Sequence, residues 1–313
     1  MKSENSVIPR KKFYLKEKYK LFLYAVPFLV MIFIFYYLPL HGWAYAFFNF
    51  RPGIPLFQNE FVGTANFFQL INTESARREI MRVMTNTFAI SFLGIAFTGL
   101  PVVFAIFLSE IRSKKMQRFI QTTTTLPNFM SWVLVYAIMF SMFSVDNGFV
   151  NQFLLRIGLI STPTNILGDQ HNVWIIQTLI GVWRGLGWGA IIYLASITGI
   201  DRELYEAAAV DGAGRFKRIW HITVPGILST YFVLLILAIA NILNNGMEQY
   251  FVFQNPMTRL RIEVLDLFIY NQGIVGINYG GATAVGILKS LVSVALLTFA
   301  NQASRLVRGH KIF

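Results

Sequence analysis

The sequence predicts an all-α membrane protein with six transmembrane helices and both termini in the cytoplasm. Three observations predict it. First, 55% of the 313 residues are hydrophobic and only 13% are charged, about half the ~25% charged share of soluble domains. Disorder is excluded by the same figures, because disordered chains are poor in apolar residues. Second, the apolar residues form six runs, at 21–47, 86–109, 119–143, 173–198, 222–243 and 282–304. Each is long enough for a crossing of about 20 residues and unlike the weak alternating segments of an outer-membrane barrel. Third, the Lys and Arg residues between the runs are unevenly shared. With the N-terminus placed inside, the inner segments carry 18 and the outer segments 7, the bias expected of cytoplasmic loops.

Taken in order, residues 1–20 form a basic cytoplasmic N-terminus with seven Lys and Arg. The first span follows at 21–47. Ala44-Tyr45-Ala46 resembles a signal-peptide cleavage site, but the apolar stretch before it is about 25 residues long. A signal h-region is about 7–15, so this is read as an uncleaved span. Residues 48–85 form an extracellular loop, polar and aromatic, in which Thr73–Met84 is expected to make a short helix at the membrane surface. Residues 86–304 are the core transmembrane domain, with a cytoplasmic loop at 199–221, and 305–313 a cytoplasmic tail. Within the core, 144–172 and 244–281 are outer loops with Asn, Gly and Pro turns.

The first, second, third and fifth spans contain no Asp, Glu, Lys or Arg; the fourth holds Arg184 and the sixth Lys289. Pro27, Pro39, Pro101, Pro127 and Pro225 lie in or at the ends of spans, where neighbouring groups can satisfy the freed backbone. The net charge of +12 is therefore largely topological, and nucleic acid is not the expected partner. With no cysteine in the chain, a disulfide framework, a thiolate metal site and a cysteine nucleophile are excluded. His41, His171, His221 and His310 show no ligand spacing. No catalytic residue and no metal or cofactor site is assigned. No Gly-x-x-x-x-Gly-Lys-Ser/Thr loop is present, so the chain does not bind ATP in the P-loop manner.

The 199–221 loop is the most informative segment. Asp201 can N-cap a short helix through about Ala209. Gly212 and Gly214 allow a sharp turn. Arg215 to Ile222 suits a second helix with a basic face and an apolar face (Phe216, Ile219, Trp220). Pro225 falls in the first turns of the next span, where its missing N–H costs least. Small residues at Ala207, Ala208, Gly212 and Ala213 permit close approach by another surface. Physical reading alone leaves two possibilities: a docking element, or a connecting loop lying on the membrane.

The order Glu206-Ala-Ala, Asp211-Gly-Ala, then Pro225 resembles the EAA loop of the membrane subunits of ABC importers. Further segments are similar to the oligosaccharide branch of the maltose-transporter-type permeases. They are Leu126-Pro-Asn-Phe-Met-Ser-Trp132, Gly148-Phe-Val-Asn151, Trp183-Arg-Gly-Leu-Gly-Trp188, Val264-Leu-Asp266 with Tyr270, and Ala284-Val-Gly286 with Lys289-Ser290. Among these the chain looks most like the aldouronate, alginate and pectin-oligosaccharide permeases. It departs from them at Asn128, where His is commoner, and at Gln254-Asn255-Pro256, where Tyr-Asn-Pro is commoner.

The resemblance implies a type I ABC importer transmembrane domain in the cell membrane of a bacterium. It also implies partners: a second homologous permease chain, two cytoplasmic ATPases carrying ATP and Mg, and an extracellular lipid-anchored or periplasmic solute-binding protein. The cargo would be an oligosaccharide, acidic by subfamily. Glu206, Ala207, Ala208, Asp211, Gly212 and Ala213 would form the coupling helix that meets an ATPase.

A sugar path needs hydrogen-bonding groups and flat aromatic faces. The candidates are Asn128, Ser131, Trp132, Trp183, Arg184, Trp188, Tyr193, Asn241, Asn244 and Asn245. The aromatics have an alternative place in interfacial belts, and Gly181, Gly185 and Gly189, four apart, suggest close helix packing. Arg184 lies about 17 Å into its span at 1.5 Å per residue, where an Arg costs at least ~2.5–3.5 kcal/mol. It is expected to face the bundle, as a cation lining the path or as a partner for carbonyls or another chain. Lys289, nearer an end, is expected to snorkel outward. A secondary transporter is the main rival, though coupling carboxylates are expected there and no span contains Asp or Glu. A membrane enzyme would need an acid–base pair or metal cluster, and a channel a charged ring; neither pattern stands out.

Overall fold

A computed structural model describes residues 17–308, with side chains through residue 302. The N-terminal segment before residue 17 and the end of the tail after 308, both expected to be cytoplasmic, lie outside the described residues. The described chain is helical, with one isolated antiparallel bridge between Phe48 and Phe61. Five helices are long and apolar enough to cross a membrane, and a bent pair makes a sixth.

Helix α1 (Glu17–Phe47) changes pitch along its length, from α to a π turn at Phe33–Tyr37 and then to 3-10 at Leu38–Phe47. Pro39, which has no N–H to donate, sits at that second change. No residue of Glu17–Tyr37 is buried. The far end packs: Ala46 is buried with Ala284 and Ile287.

After α2 (Ala65–Asn72), helix α3 (Glu74–Ser109) starts a dozen residues earlier than the expected span. Thr73 caps it, accepting from the Ala76 N–H at 3.2 Å. The segment expected as a surface helix at Thr73–Met84 is thus the first turns of a 36-residue helix, about 54 Å long and longer than the ~30 Å apolar layer. The helix is interrupted at Phe97–Thr98, four residues before Pro101, whose ring would meet the Phe97 carbonyl.

The expected third span is not one helix. It is α4 (Lys114–Phe129) and α5 (Trp132–Phe143), bent by 108°. Pro127 removes a donor, and Met130 and Ser131 are extended (ψ 141° and 152°). The Ser131 hydroxyl then caps α5, accepting from the Leu134 N–H at 3.3 Å.

Short α6 (Phe149–Arg156) precedes α7 (Val173–Thr198), whose bounds match the expected fourth span. Helix α8 (Arg202–Val210) and a turn lead to α9 (Arg215–Ala240). Three short helices, α10 (Glu248–Phe253), α11 (Arg259–Ile262) and α12 (Leu265–Tyr270), lead to α13 (Tyr279–Arg308).

The 244–281 segment, expected as an outer loop, is part of the core. Tyr250, Phe253, Ile262, Val264 and Leu267 share the main buried cluster with Ile90, Val135, Met139, Val173 and Ile180. Its polar backbone is held by side chains from elsewhere. Arg82 donates to the Leu260 carbonyl at 2.9 Å and pairs with the buried Glu263 carboxylate at 2.7 Å. The Asn86 amide donates to the Leu260 and Glu263 carbonyls, and the Trp174 indole N–H to the Arg261 carbonyl.

Lys289 does not snorkel. Its ammonium pairs with the Asp266 carboxylate of α12, both side chains being largely buried. Asp266 also accepts from the Gly246 N–H at 2.9 Å. A carboxylate from outside the six runs thus enters the bundle already matched to a cation.

Candidate functional site: a loop at one end and a polar cavity within

The 199–221 loop folds as its sequence predicts. Asp201 Oδ1 accepts from the Glu203 N–H at 3.0 Å, capping α8. The helix ends in a Schellman arrangement. The Ala213 N–H donates to the Ala208 carbonyl at 2.8 Å, and Gly212 takes φ +74°, a conformation that favours glycine. Glu206, Ala207, Asp211 and Gly212 are exposed, while Ala208 and Ala213 are half-buried.

The loop is fastened to the bundle on its inner side. Arg215 pairs with the Glu110 carboxylate at 3.2 Å and donates to its carbonyl at 3.1 Å. The Tyr205 and Thr223 hydroxyls lie 2.9 Å apart. The outer side carries apolar residues in the open, with Val210 89% and Phe216 85% exposed.

The ten candidate path residues separate into groups. Asn241, Asn244 and Asn245 follow the end of α9 and line a cavity of about 360 Å³ between α3, α7 and α10. Its wall also includes Ser91, Thr98, Gln177, Thr178, Gln249 and Tyr250, none of which periodicity singled out. For four of them the signal was present, Ser91, Thr98, Gln177 and Thr178 being polar residues inside apolar runs, while Gln249 and Tyr250 lie in the 244–281 segment. The Gln249 amide donates to the Gln177 carbonyl and side chain at 2.8 and 3.0 Å, and Asn245 donates to the Ser91 hydroxyl at 2.8 Å.

A second group surrounds the corner between α4 and α5. Asn128 offers its backbone carbonyl to Arg184, Ser131 is the cap of α5, and Trp132 lies under the Arg184 guanidinium at 4.4 Å. Trp188 meets Phe129 edge-on at 5.8 Å. Of the two possibilities for Arg184, the one observed is the bond to carbonyls, with Nη2 donating to Asn128 and Met130 at 3.0 and 2.9 Å.

Trp183 is partly exposed (41%) and belongs to neither group. Tyr193 lies apart from both groups. It is 4% exposed and packs with Ala105, Leu108, Ala190 and Leu194 between α3 and α7, so it is core and does not line the cavity.

The expected glycine packing holds at Gly189, where an added Cβ would stand 3.3 Å from Pro101. At Gly185 such an atom would meet nothing within 4 Å. The closest contact is at Gly187, outside the four-residue stripe, where a Cβ would fall 2.3 Å from the Thr124 carbonyl oxygen.

Comparison with known proteins agrees with this geometry. Residues 98–309 match the family described as binding-protein-dependent transport system inner membrane component. The protein LplB of Bacillus subtilis (strain 168) is 36% identical over 93% of this chain and 90% of its own length. The polygalacturonan/rhamnogalacturonan transport system permease protein YteP of the same organism is 34% identical over 93% and 89%. A solved bacterial alginate ABC transporter, in complex with its alginate pentasaccharide-bound periplasmic protein, has a chain that superposes with a TM-score of 0.82. It is 31% identical, over 95% of this chain and 97% of that one. The chain belongs to the binding-protein-dependent transport system inner membrane component family.

Proposed function

We propose that this chain is the membrane-spanning permease subunit of an ABC importer for an acidic, uronate-containing oligosaccharide. The observation that carries this reading is the uncovered loop at one end of the bundle. It is built to a fixed shape, fastened to the bundle through Arg215 and Tyr205, and carries Val210 and Phe216 in the open. In a loop read as lying outside the membrane, large apolar side chains left this exposed suit a surface that another protein covers. The occupant would be a cytoplasmic ATPase, with the 206–213 segment as the coupling helix.

Both termini and the loop would then lie in the cytoplasm, in the plasma or inner membrane of a bacterium. A second permease chain would complete the path, and a solute-binding protein would deliver cargo from outside. ATP and Mg would be bound by the ATPase pair. ATP binding would favour one conformation of the assembly, and that difference in affinity is what drives cargo one way.

Within the bundle, the amide-lined cavity supplies what a sugar hydroxyl needs. Asn241, Asn244, Asn245 and Gln249 offer donors and acceptors, and Tyr250 offers an aromatic wall. The acidic cargo is supported by the relatives: one is named for polygalacturonan and rhamnogalacturonan, and the solved neighbour holds an alginate pentasaccharide on its periplasmic protein.

The test is affinity purification of the tagged chain from native membranes, followed by mass spectrometry and uptake assays. An ATPase, a second six-span chain and a binding protein should co-purify. Glu206→Lys and Gly212→Pro should each lower uptake at least tenfold while the chain still reaches the membrane. Proline, fixed near φ −65°, cannot take the +74° of Gly212. Normal uptake by both variants, or a chain that works alone, would favour a secondary carrier instead.

A further inference from the structure

Arg184 lies in the middle of α7, on one helical face with Gln177, Gly181 and Trp188 by the 3.6-residue period. Gln177 and Gly181 border the cavity. In the other direction, α7 runs on to Thr198 and the loop that begins there. Arg184 thus stands between cavity and loop on α7, a helix that borders both.

What Arg184 touches is the corner of the broken third span. A helix end leaves carbonyls without intrahelical donors, and in a membrane these must be satisfied by protein. Nη2 bridges the Asn128 and Met130 carbonyls at 3.0 and 2.9 Å, one on each side of residue 129. The guanidinium plane rests on the Trp132 indole, the first residue of α5, at 4.4 Å. The same side chain therefore touches the last turn of α4, the connecting residue and the first turn of α5. Nearby, Gly187 lets the α7 backbone close on Thr124, and Trp188 abuts Phe129. Among the described residues Arg184 has no acidic partner, and its buried Nε makes no hydrogen bond.

We propose that Arg184 is a positioning residue that locks the 108° corner of the third span to α7, so that the two move as one piece during transport. Its charge serves the carbonyls of that corner and not the carboxylates of the cargo. The consequence for transport rests on the importer reading above; the corner itself does not.

The chain has no cysteine, so paired spin labels can be placed at will. Phe119 on α4 and Phe140 on α5 are 67% and 52% exposed. Both are replaced by labelled cysteine in the intact complex, with cysteine-free partner chains, in nanodiscs. Electron–electron distance measurements with and without ATP should give one narrow distribution that ATP does not shift. In Arg184→Met the distribution should broaden at least twofold, and in Arg184→Lys, which keeps a cation but not the planar fork, it should fall between. An unchanged distribution in Arg184→Met would overturn the proposal, as would an ATP-dependent change of the corner in the unsubstituted chain. These outcomes do not depend on the cargo or on transport.

Uptake of trigalacturonate at saturating binding protein supplies the second readout. A lock predicts a maximal rate lowered about tenfold or more with KM held within twofold, in Arg184→Met more than in Arg184→Lys. A rise in KM confined to Arg184→Met, with Arg184→Lys normal, would instead assign the charge to cargo. Should Arg184→Met fail to assemble, Trp132→Leu removes the indole platform while leaving the cation, and the same distance broadening is expected.

Discussion

Two helix ends in this protein are finished by opposite means. In α8 the ties are local: Asp201 caps the start, and at the end Gly212 lets the Ala213 N–H reach the Ala208 carbonyl. At the corner after α4, the carbonyls of Asn128 and Met130 are met by a side chain 56 and 54 residues away. The first end faces outward and needs a shape that it holds by itself. The second lies inside the bundle, where a local cap of water is not to be had and α7 supplies the donor. The difference teaches that an exposed segment can be capped by its own neighbours in the chain, whereas a corner inside the bundle draws its donor from another helix.

The comparison breaks if remote ties prove weaker than local caps. The largest effect is expected at the Arg82–Glu263 pair, the tie that holds the 244–281 segment. Arg82→Met leaves Glu263, whose side chain is only 7% exposed, with the Asn271 amide as its remaining side-chain partner. An uncompensated buried charge costs about 3–5 kcal/mol. Thermal unfolding of the purified complex should show it. The double variant Arg82→Met/Glu263→Gln should recover part of the loss, because the charge is gone with its partner. No recovery would mean that Arg82 acts through the Leu260 carbonyl instead.

A smaller effect is expected at the α4–α7 contact. Gly187→Ala must push α7 from the Thr124 backbone, an overpacking cost of about 1–3 kcal/mol. Gly185→Ala, two residues away with open space at its Cβ, should be neutral or better by up to about 1 kcal/mol from helix preference. Equal losses in the two variants would remove the close approach from the account.

These contrasts also mark what the sequence could reveal. The 199–221 loop was legible residue by residue because its caps, turn and faces are set by neighbours in the chain. The fourth span was legible from its length, a run at 173–198 interrupted by a single charge at Arg184. The corner at Met130 and Ser131 was not, since hydropathy runs unbroken through 119–143 and Pro127 alone does not dictate a 108° bend. Nor was the burial of 244–281. Its Arg, Glu and Asp read as outer-loop charges until Arg82 and Lys289, far away in sequence, arrive to pair with Glu263 and Asp266. Of the residues that line the cavity, Asn241, Asn244 and Asn245 stood out by their chemistry, whereas Gln177 and Gln249 needed the geometry that joins their amides. The core packing of Tyr193 was not legible either, because an aromatic near the end of a span looks alike whether it lines a cavity or fills a core.

The smallest effect should come from the local cap. Asp201→Ala removes the acceptor for the Glu203 N–H, a loss of about 0.5–2 kcal/mol. The site is exposed, so water replaces part of the bond, and no tertiary contact passes through Asp201 to spread the damage. Hydrogen exchange should therefore quicken in the first turn of α8 alone, with the melting temperature of the complex nearly unchanged. Asp201→Asn, which can still accept, should restore the protection. If Asp201→Ala instead lowered the melting temperature as far as Arg82→Met, the loop would be part of the cooperative core. The 206–213 segment would then have to be described as moving with the bundle, and no longer as a self-contained element presented to a partner.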